Sequence, residues 1–200
     1  MSLKSLFARK PEPTPTPYTK IDNVTYYLMT CEELDQHPSL IKKMDRLLHS
    51  QGIATYDGFL FGGYHVNKNT INIIGVNDQD KAVSYGEIYS NAQNNISEIM
   101  WIVAYKAKKN EPVNFKNLKP LIDLLLEGAH LHGIDTLYAK LYDKSWGRIK
   151  DPIALIKRYG IPCYSAKGEH KDLGCDYDCK IDVKEYFAKK DASLDGAENE

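Results

Sequence analysis

Four residues near the C-terminus carry side chains that bind metals: Cys163, His170, Cys175 and Cys179, spaced C-x6-H-x4-C-x3-C. Structural zinc sites are usually built on tight C-x2-C pairs, which this spacing lacks. Alternation places Cys175 and Cys179 on one face with Tyr177 and Ile181, so buried structural thiols are expected and no metal site is assigned. A second cluster is cationic, with five lysines between Lys106 and Lys119. Such a run can meet phosphate, nucleic acid or an acidic partner. No aromatic ladder for stacking bases accompanies it, and solvated loop lysines are its commoner use. Gly58, Gly62 and Gly63 lack the following helix and lysine of a phosphate loop and read as bulge glycines. His130 and His132 close a helical stretch, where positive charge suits the helix dipole. Glu98 stands at the head of an apolar run; strand-end carboxylates are common and need no function. Chain order alone assigns no Ser-His-Asp or Cys-His pair.

The elements that would position these residues follow from periodicity. Val24–Met29 is rich in β-branched and aromatic residues and reads as a strand. Thr30 with Glu33 is a capping box, Pro38 breaks the helix it starts, and Gly52 ends its continuation. Strands are predicted over Tyr56–Val66, Thr70–Val76, Lys81–Tyr89 and Ile96–Tyr105, the last apolar enough to be buried on both faces. Asn117 is the expected N-cap of a long helix, Leu118–His132, followed by a strand over Thr136–Tyr142. A helix between two strands implies that they are parallel. A short helix from Pro152 ends at Gly160, and a closing hairpin spans Ile161–Phe187. The fold class is thus α/β, with a mixed α+β sheet.

The chain has 200 residues and a net charge of −1, which gives no argument for nucleic acid. No apolar run is long enough to cross a bilayer, so no membrane insertion is expected. Without the apolar core of an export signal, the four cysteines are expected to be reduced thiols in a cytoplasmic compartment. Residues 1–20 read as a disordered basic tail with a proline-rich spacer, 21–187 as the folded domain and 188–200 as a disordered acidic tail. Leu3, Leu6 and Phe7 share one helical face ahead of prolines 11, 13, 15 and 17. Residues 1–17 therefore form a candidate docking peptide on a semi-rigid stalk, with a protein as partner.

The order strand, two short helices, antiparallel strands, long helix, strand, short helix and hairpin resembles the GNAT superfamily of N-acetyltransferases. The residues that carry this are Ile73–Gly86, Leu121–Tyr138 and Ile156-Lys157-Arg158-Tyr159-Gly160-Ile161. The resemblance implies a central mixed sheet of about seven strands flanked by four helices. It also implies acetyl-CoA as cofactor, held by amides of a glycine-rich loop and a helix N-terminus, a carboxylate base, and a tyrosine acid on the last helix. Glu98 falls nearest the base's strand, and Lys106, Lys108, Lys109 and Asn117 fall where the pyrophosphate would lie. The pattern departs at two points. No glycine lies between Trp101 and Asn117, and Ile156 takes the acid's place; the usual asparagine, near Ile149, is also missing. The expected function is a non-catalytic interaction or assembly protein with a degenerate acyl-CoA site, similar to the small GNAT-like virion accessory proteins of some tailed phages. Such a protein would reside in a host cytoplasm or a virion. Two alternatives stand beside it: an active acyl-CoA N-acyltransferase with an atypical cofactor loop, and a binder of nucleic acid or an acidic partner through residues 106–119.

Overall fold

A computed structural model describes residues 12–52, 69–105, 115–141 and 152–197. Among them, eight strands form one mixed sheet in the order β1-β2-β3-β4-β5-β6-β8-β7. The strands are β1 (Thr19–Ile21), β2 (Val24–Thr30), β3 (Thr70–Asn77), β4 (Ala82–Asn91), β5 (Ile96–Ala104), β6 (Thr136–Ala139), β7 (Cys163–Ser165) and β8 (Cys179–Asp182). The five α-helices are α1 (Cys31–Leu34), α2 (Pro38–Ser50), α3 (Phe115–Leu131), α4 (Pro152–Arg158) and α5 (Val183–Ala197).

The local signals explain most of these elements. The Thr30–Glu33 capping box is present, with the Thr30 amide donating to Glu33 at 2.8 Å and the Glu33 amide to Thr30 Oγ1 at 3.3 Å. Pro38 opens α2, where a missing amide costs nothing. Gly133, at φ +70°, ends α3, and the Ile134 amide returns to the Ala129 carbonyl at 2.9 Å. Strands β2 to β5 pair antiparallel, and β5 pairs with β6 in parallel, as a helical crossover requires.

The core has two layers. On one face α3 lays Leu121, Leu125 and Ala129 over Ile71, Ile73 and Ile88. Gly86 permits that approach: a Cβ there would sit 3.1 Å from the methyls of Leu121 and Leu125. On the other face α2 lays Leu40, Met44, Leu47 and Leu48 over Ile74, Val76, Tyr85 and Val103. No helix among the described residues is long and apolar enough to cross a membrane.

Several expectations are corrected. Among the described residues the sheet has eight strands where about seven were expected, and there are five α-helices where four were expected, because Thr19–Ile21 and Val183–Ala197 join the fold. Thr19–Ile21 pairs with β2 across an Asp22-Asn23 turn in which Asp22 takes φ +52°. Ordered structure therefore precedes residue 21. The Glu12 carboxylate accepts from the Ser39 amide at 3.2 Å and the Ser39 hydroxyl at 2.6 Å, which ties the proline spacer to the start of α2. At the other end, residues 188–197 are helical and continue α5. Asp182 Oδ1 accepts the Glu185 amide at 2.7 Å as an N-cap, and Tyr186 and Phe187 pack against α3 through Asp123 and His130. Asn117 is not an N-cap: α3 begins at Phe115, so Asn117 is its third residue, where a capping conformation is impossible. Strand β5 is not buried on both faces; only Ile96 and Val103 are, and the fully buried strand is β3. The expected strand over 56–66, the loop lysines 106, 108 and 109, the position of Ile149 and the peptide before residue 12 lie outside the described residues.

Candidate functional site

The parallel pair β5 and β6 makes contact over two positions only, Glu98 opposite Tyr138 and Ile99 opposite Ala139. Beyond Ile99, β5 runs on to Ala104 with no strand partner on its β6 side among the described residues. Asp178 accounts for the parting. Its amide donates to the Ala139 carbonyl at 3.1 Å, and its carboxylate accepts the Leu141 amide at 2.7 Å. Both bonds draw the end of β6 toward β8 and away from β5. The pairing of β4 with β5 also slips at this level: Glu87 faces Trp101 while Ile88 faces Ile99, which leaves Met100 as the extra residue of a bulge, 40% exposed. Among the described residues, the result is a notch along β5 beside the bulge, where its backbone has no strand partner on the β6 side.

Glu98 sits at the closed end of this notch. It is half-buried, and the Tyr177 hydroxyl hydrogen-bonds its carboxylate; burial and that bond push the Tyr177 hydroxyl well above its ordinary range. Tyr177 itself is 5% exposed. Glu98 is thus engaged by a buried neighbour, an arrangement that fixes β5 to the segment before β8. Of the other expected residues, Lys106, Lys108 and Lys109 lie outside the described residues, and Asn117 lies within α3. Ile156, in the acid's place, is 3% exposed and belongs to the core formed with Leu137 and Ile161. Tyr159, three residues on, is 38% exposed. Among the described residues, no group of three His, Cys, Asp or Glu side chains could hold a metal. Cys163 and Cys179 are fully buried, and their thiols hydrogen-bond each other across β7 and β8, which raises the Cys179 thiol far above its ordinary range.

Sequence reasoning missed Glu87. It lies on β4, 1% exposed, opposite Trp101 at the β5 bulge. Burial drives its carboxyl from 4.5 up to about 7, against a smaller downward pull from the Tyr85 hydroxyl. Tyr85 touches both Glu87 Oε2 and, at 3.1 Å, Asn72 Oδ1; the Asn72 amide donates to Thr70 Oγ1 at 3.2 Å, and Thr70 hydrogen-bonds the Cys31 thiol. A hydroxyl has one proton, and an ionised Glu87 and the Asn72 oxygen are both acceptors. With the Asn72 oxygen facing Tyr85, a protonated Glu87 satisfies both Tyr85 contacts together. Oε1 of Glu87 is buried without a partner. One signal was available in the sequence. Alternation along β4 puts Tyr85 and Glu87 on one face, with Thr70 and Asn72 on the matching face of β3.

The fold as a whole resembles solved structures. An acyl-CoA N-acyltransferase from Pseudomonas aeruginosa superposes with a TM-score of 0.52 at 12% identity, over 78% of this chain and 98% of that one. A GNAT-family acetyltransferase from Staphylococcus aureus Mu50 gives a TM-score of 0.50 at 13% identity, over 79% and 99%. The chain has a GNAT fold. At this identity the likeness is one of fold. No family model matches the sequence, and no curated protein does.

Proposed function

We propose that this chain uses the GNAT fold as a binding scaffold, docks a protein partner through its N-terminal segment, and does not transfer acyl groups. Ile156 carries this reading. It occupies the place of the acid that would protonate a departing thiolate, and it is a 3% exposed aliphatic residue of the core. It has no proton to give. Glu98, the nearest carboxylate to the expected base, is engaged by Tyr177. The sequence between Trp101 and Asn117 lacks the glycines that let bare backbone approach a pyrophosphate. Ile156 and the engaged Glu98 do not fit acyl-transfer chemistry, and no catalytic step is derived through them.

Glu12 is held at Ser39, which sets the described part of the N-terminal segment against the start of α2. That segment is basic and carries Leu3, Leu6 and Phe7, which suits a groove on a larger assembly such as a phage particle. Two measurements test the proposal. Acetyl-CoA at ~100 times the dissociation constant of a binder adds about 2.7 kcal/mol of apparent stability, so thermal denaturation with millimolar acetyl-CoA is expected to show no shift. A clear shift that disappears on replacing Lys106, Lys108 and Lys109 by glutamine would overturn the non-catalytic reading. Deleting residues 1–11 is expected to release a co-purifying partner; a partner that stays bound excludes the docking peptide.

A second reading, an N-acyltransferase that uses a different base, has one observation in its favour. Glu87 titrates close to neutrality, at about 7, and lies opposite the β5 bulge, which suits a proton acceptor. Acetyl transfer to a panel of amines that is abolished in Glu87→Gln would support it.

A further inference from the structure

An open cleft of about 330 Å³ lies between α2 and the turn that joins β3 to β4. It is on the β3–β4 side of β5, away from the parted β6. Lys43, Arg46, Leu47 and Ser50 contribute from one face of α2 at helical spacing, and Lys81 and Tyr105 contribute from the sheet. The lining holds three cations against one carboxylate, Asp80, on a chain whose net charge is −1.

That carboxylate is already engaged. Asp80 pairs with Lys43 at 2.5 Å, and the Lys43 side chain is only 19% exposed. Asn77 holds the rim: its side-chain oxygen accepts the amides of Gln79 at 3.1 Å and Lys81 at 3.0 Å. Arg46 and Lys81 form no ion pair among the described residues. Beneath them the floor is apolar, with Leu47 3% and Ala82 8% exposed, while the Tyr105 ring stands 52% exposed at the edge. A guanidinium and an ammonium that pair with no carboxylate among the described residues, above an apolar floor and beside an exposed aromatic ring, make an amphiphilic receptor for an anion with a flat apolar body.

We propose that this cleft is a binding site for an organic phosphate monoester, with Arg46 and Lys81 on the phosphate and the apolar body against Leu47, Ala82 and Tyr105. Arginine supplies two parallel donors to phosphate oxygens, and lysine supplies a point charge. The floor separates an organic ester from inorganic phosphate, which would gain nothing from it. The proposal does not depend on whether the chain transfers acyl groups, because the cleft uses none of the residues on which that reading rests.

The full chain is titrated with adenosine 5′-monophosphate and, in parallel, with adenosine and with inorganic phosphate, by calorimetry and thermal denaturation. The nucleotide is expected to bind and to raise the melting temperature, adenosine to have no effect, inorganic phosphate to bind more weakly, and added salt to weaken the nucleotide. Arg46→Gln with Lys81→Gln is expected to lower nucleotide affinity at least tenfold without changing the melting temperature of the free protein, since both side chains are exposed. Asp80→Asn removes the cleft's carboxylate and frees Lys43, and is expected to tighten binding. The proposal is overturned if the nucleotide does not bind, if adenosine binds equally well, if the double variant binds as the wild type does, or if Asp80→Asn weakens binding.

Discussion

Glu87 shows how one residue sets a property of the fold. A carboxyl buried among Tyr85, Asn72 and apolar neighbours keeps its proton where a solvated glutamate has lost it. Its folded value of about 7 lies above the ordinary 4.5, so the folded state holds a proton that the unfolded state releases between those limits. Stability must then fall as pH rises through that window, and the loss is complete above about 7. A shift of this size corresponds to roughly 3 kcal/mol. Glu87→Gln keeps an acceptor for Tyr85 and cannot ionise. The variant is expected to match the wild type near pH 4.5 and exceed it by a few kcal/mol at pH 8, in urea denaturation at both values. A difference that stays constant between the two would show that Glu87 does not titrate with folding. Glu98 is the contrast. It stood out because it heads an apolar run, but only the fold brings Tyr177 to it from 79 positions along the chain. Ile156 was legible as a residue that is not an acid; that it is core was not.

At the scale of elements, the turn signals were the most legible part. Thr30 with Glu33, Pro38 and Gly133 act through bonds within a few residues, so they work the same way in any fold. Two signals of the same kind were overlooked at the ends. Asp182 with Glu185 caps α5, and Asp22-Asn23 turns β1 onto β2. Asp182→Ala should remove the acceptor for the Glu185 amide and cost about 1 kcal/mol, measured by chemical denaturation and by a loss of helical signal. The long helix tests packing instead. Gly86→Val places new atoms against Leu121 and Leu125, where even a Cβ would sit at 3.1 Å. Overpacking of this kind should cost about 1–3 kcal/mol, whereas Gly133→Ala, with nothing within 4 Å, should cost only the strain of its positive φ. Equal losses at the two glycines would argue against the close approach of α3 to β4.

For the whole molecule, the tail that reads as a spacer is anchored at Glu12, and the acidic C-terminus continues as α5. Removing residues 1–11 should leave the melting temperature unchanged. Removing 1–17 should lower it, because the contacts of Glu12 with Ser39 go with it; thermal denaturation of the two truncations makes the comparison. The β5 notch is also a property of the whole fold, since Asp178, far along the chain, holds the end of β6 away from β5. The amphiphilic cleft joins α2 to a turn more than 25 residues later in the chain.

The sequence by itself determined the order of the described elements from β2 to β8 and the absence of an acid at position 156, because periodicity, capping and residue identity are local. From that order the GNAT fold and its mixed sheet followed. The tertiary structure alone decided how the charged groups are engaged. It tied Glu98 to Tyr177, buried Glu87 beside the bulge, and left Arg46 and Lys81 facing a cleft. The reason is physical: burial and pairing depend on residues distant in the chain, and a side chain's chemistry is set by those neighbours as much as by its own type.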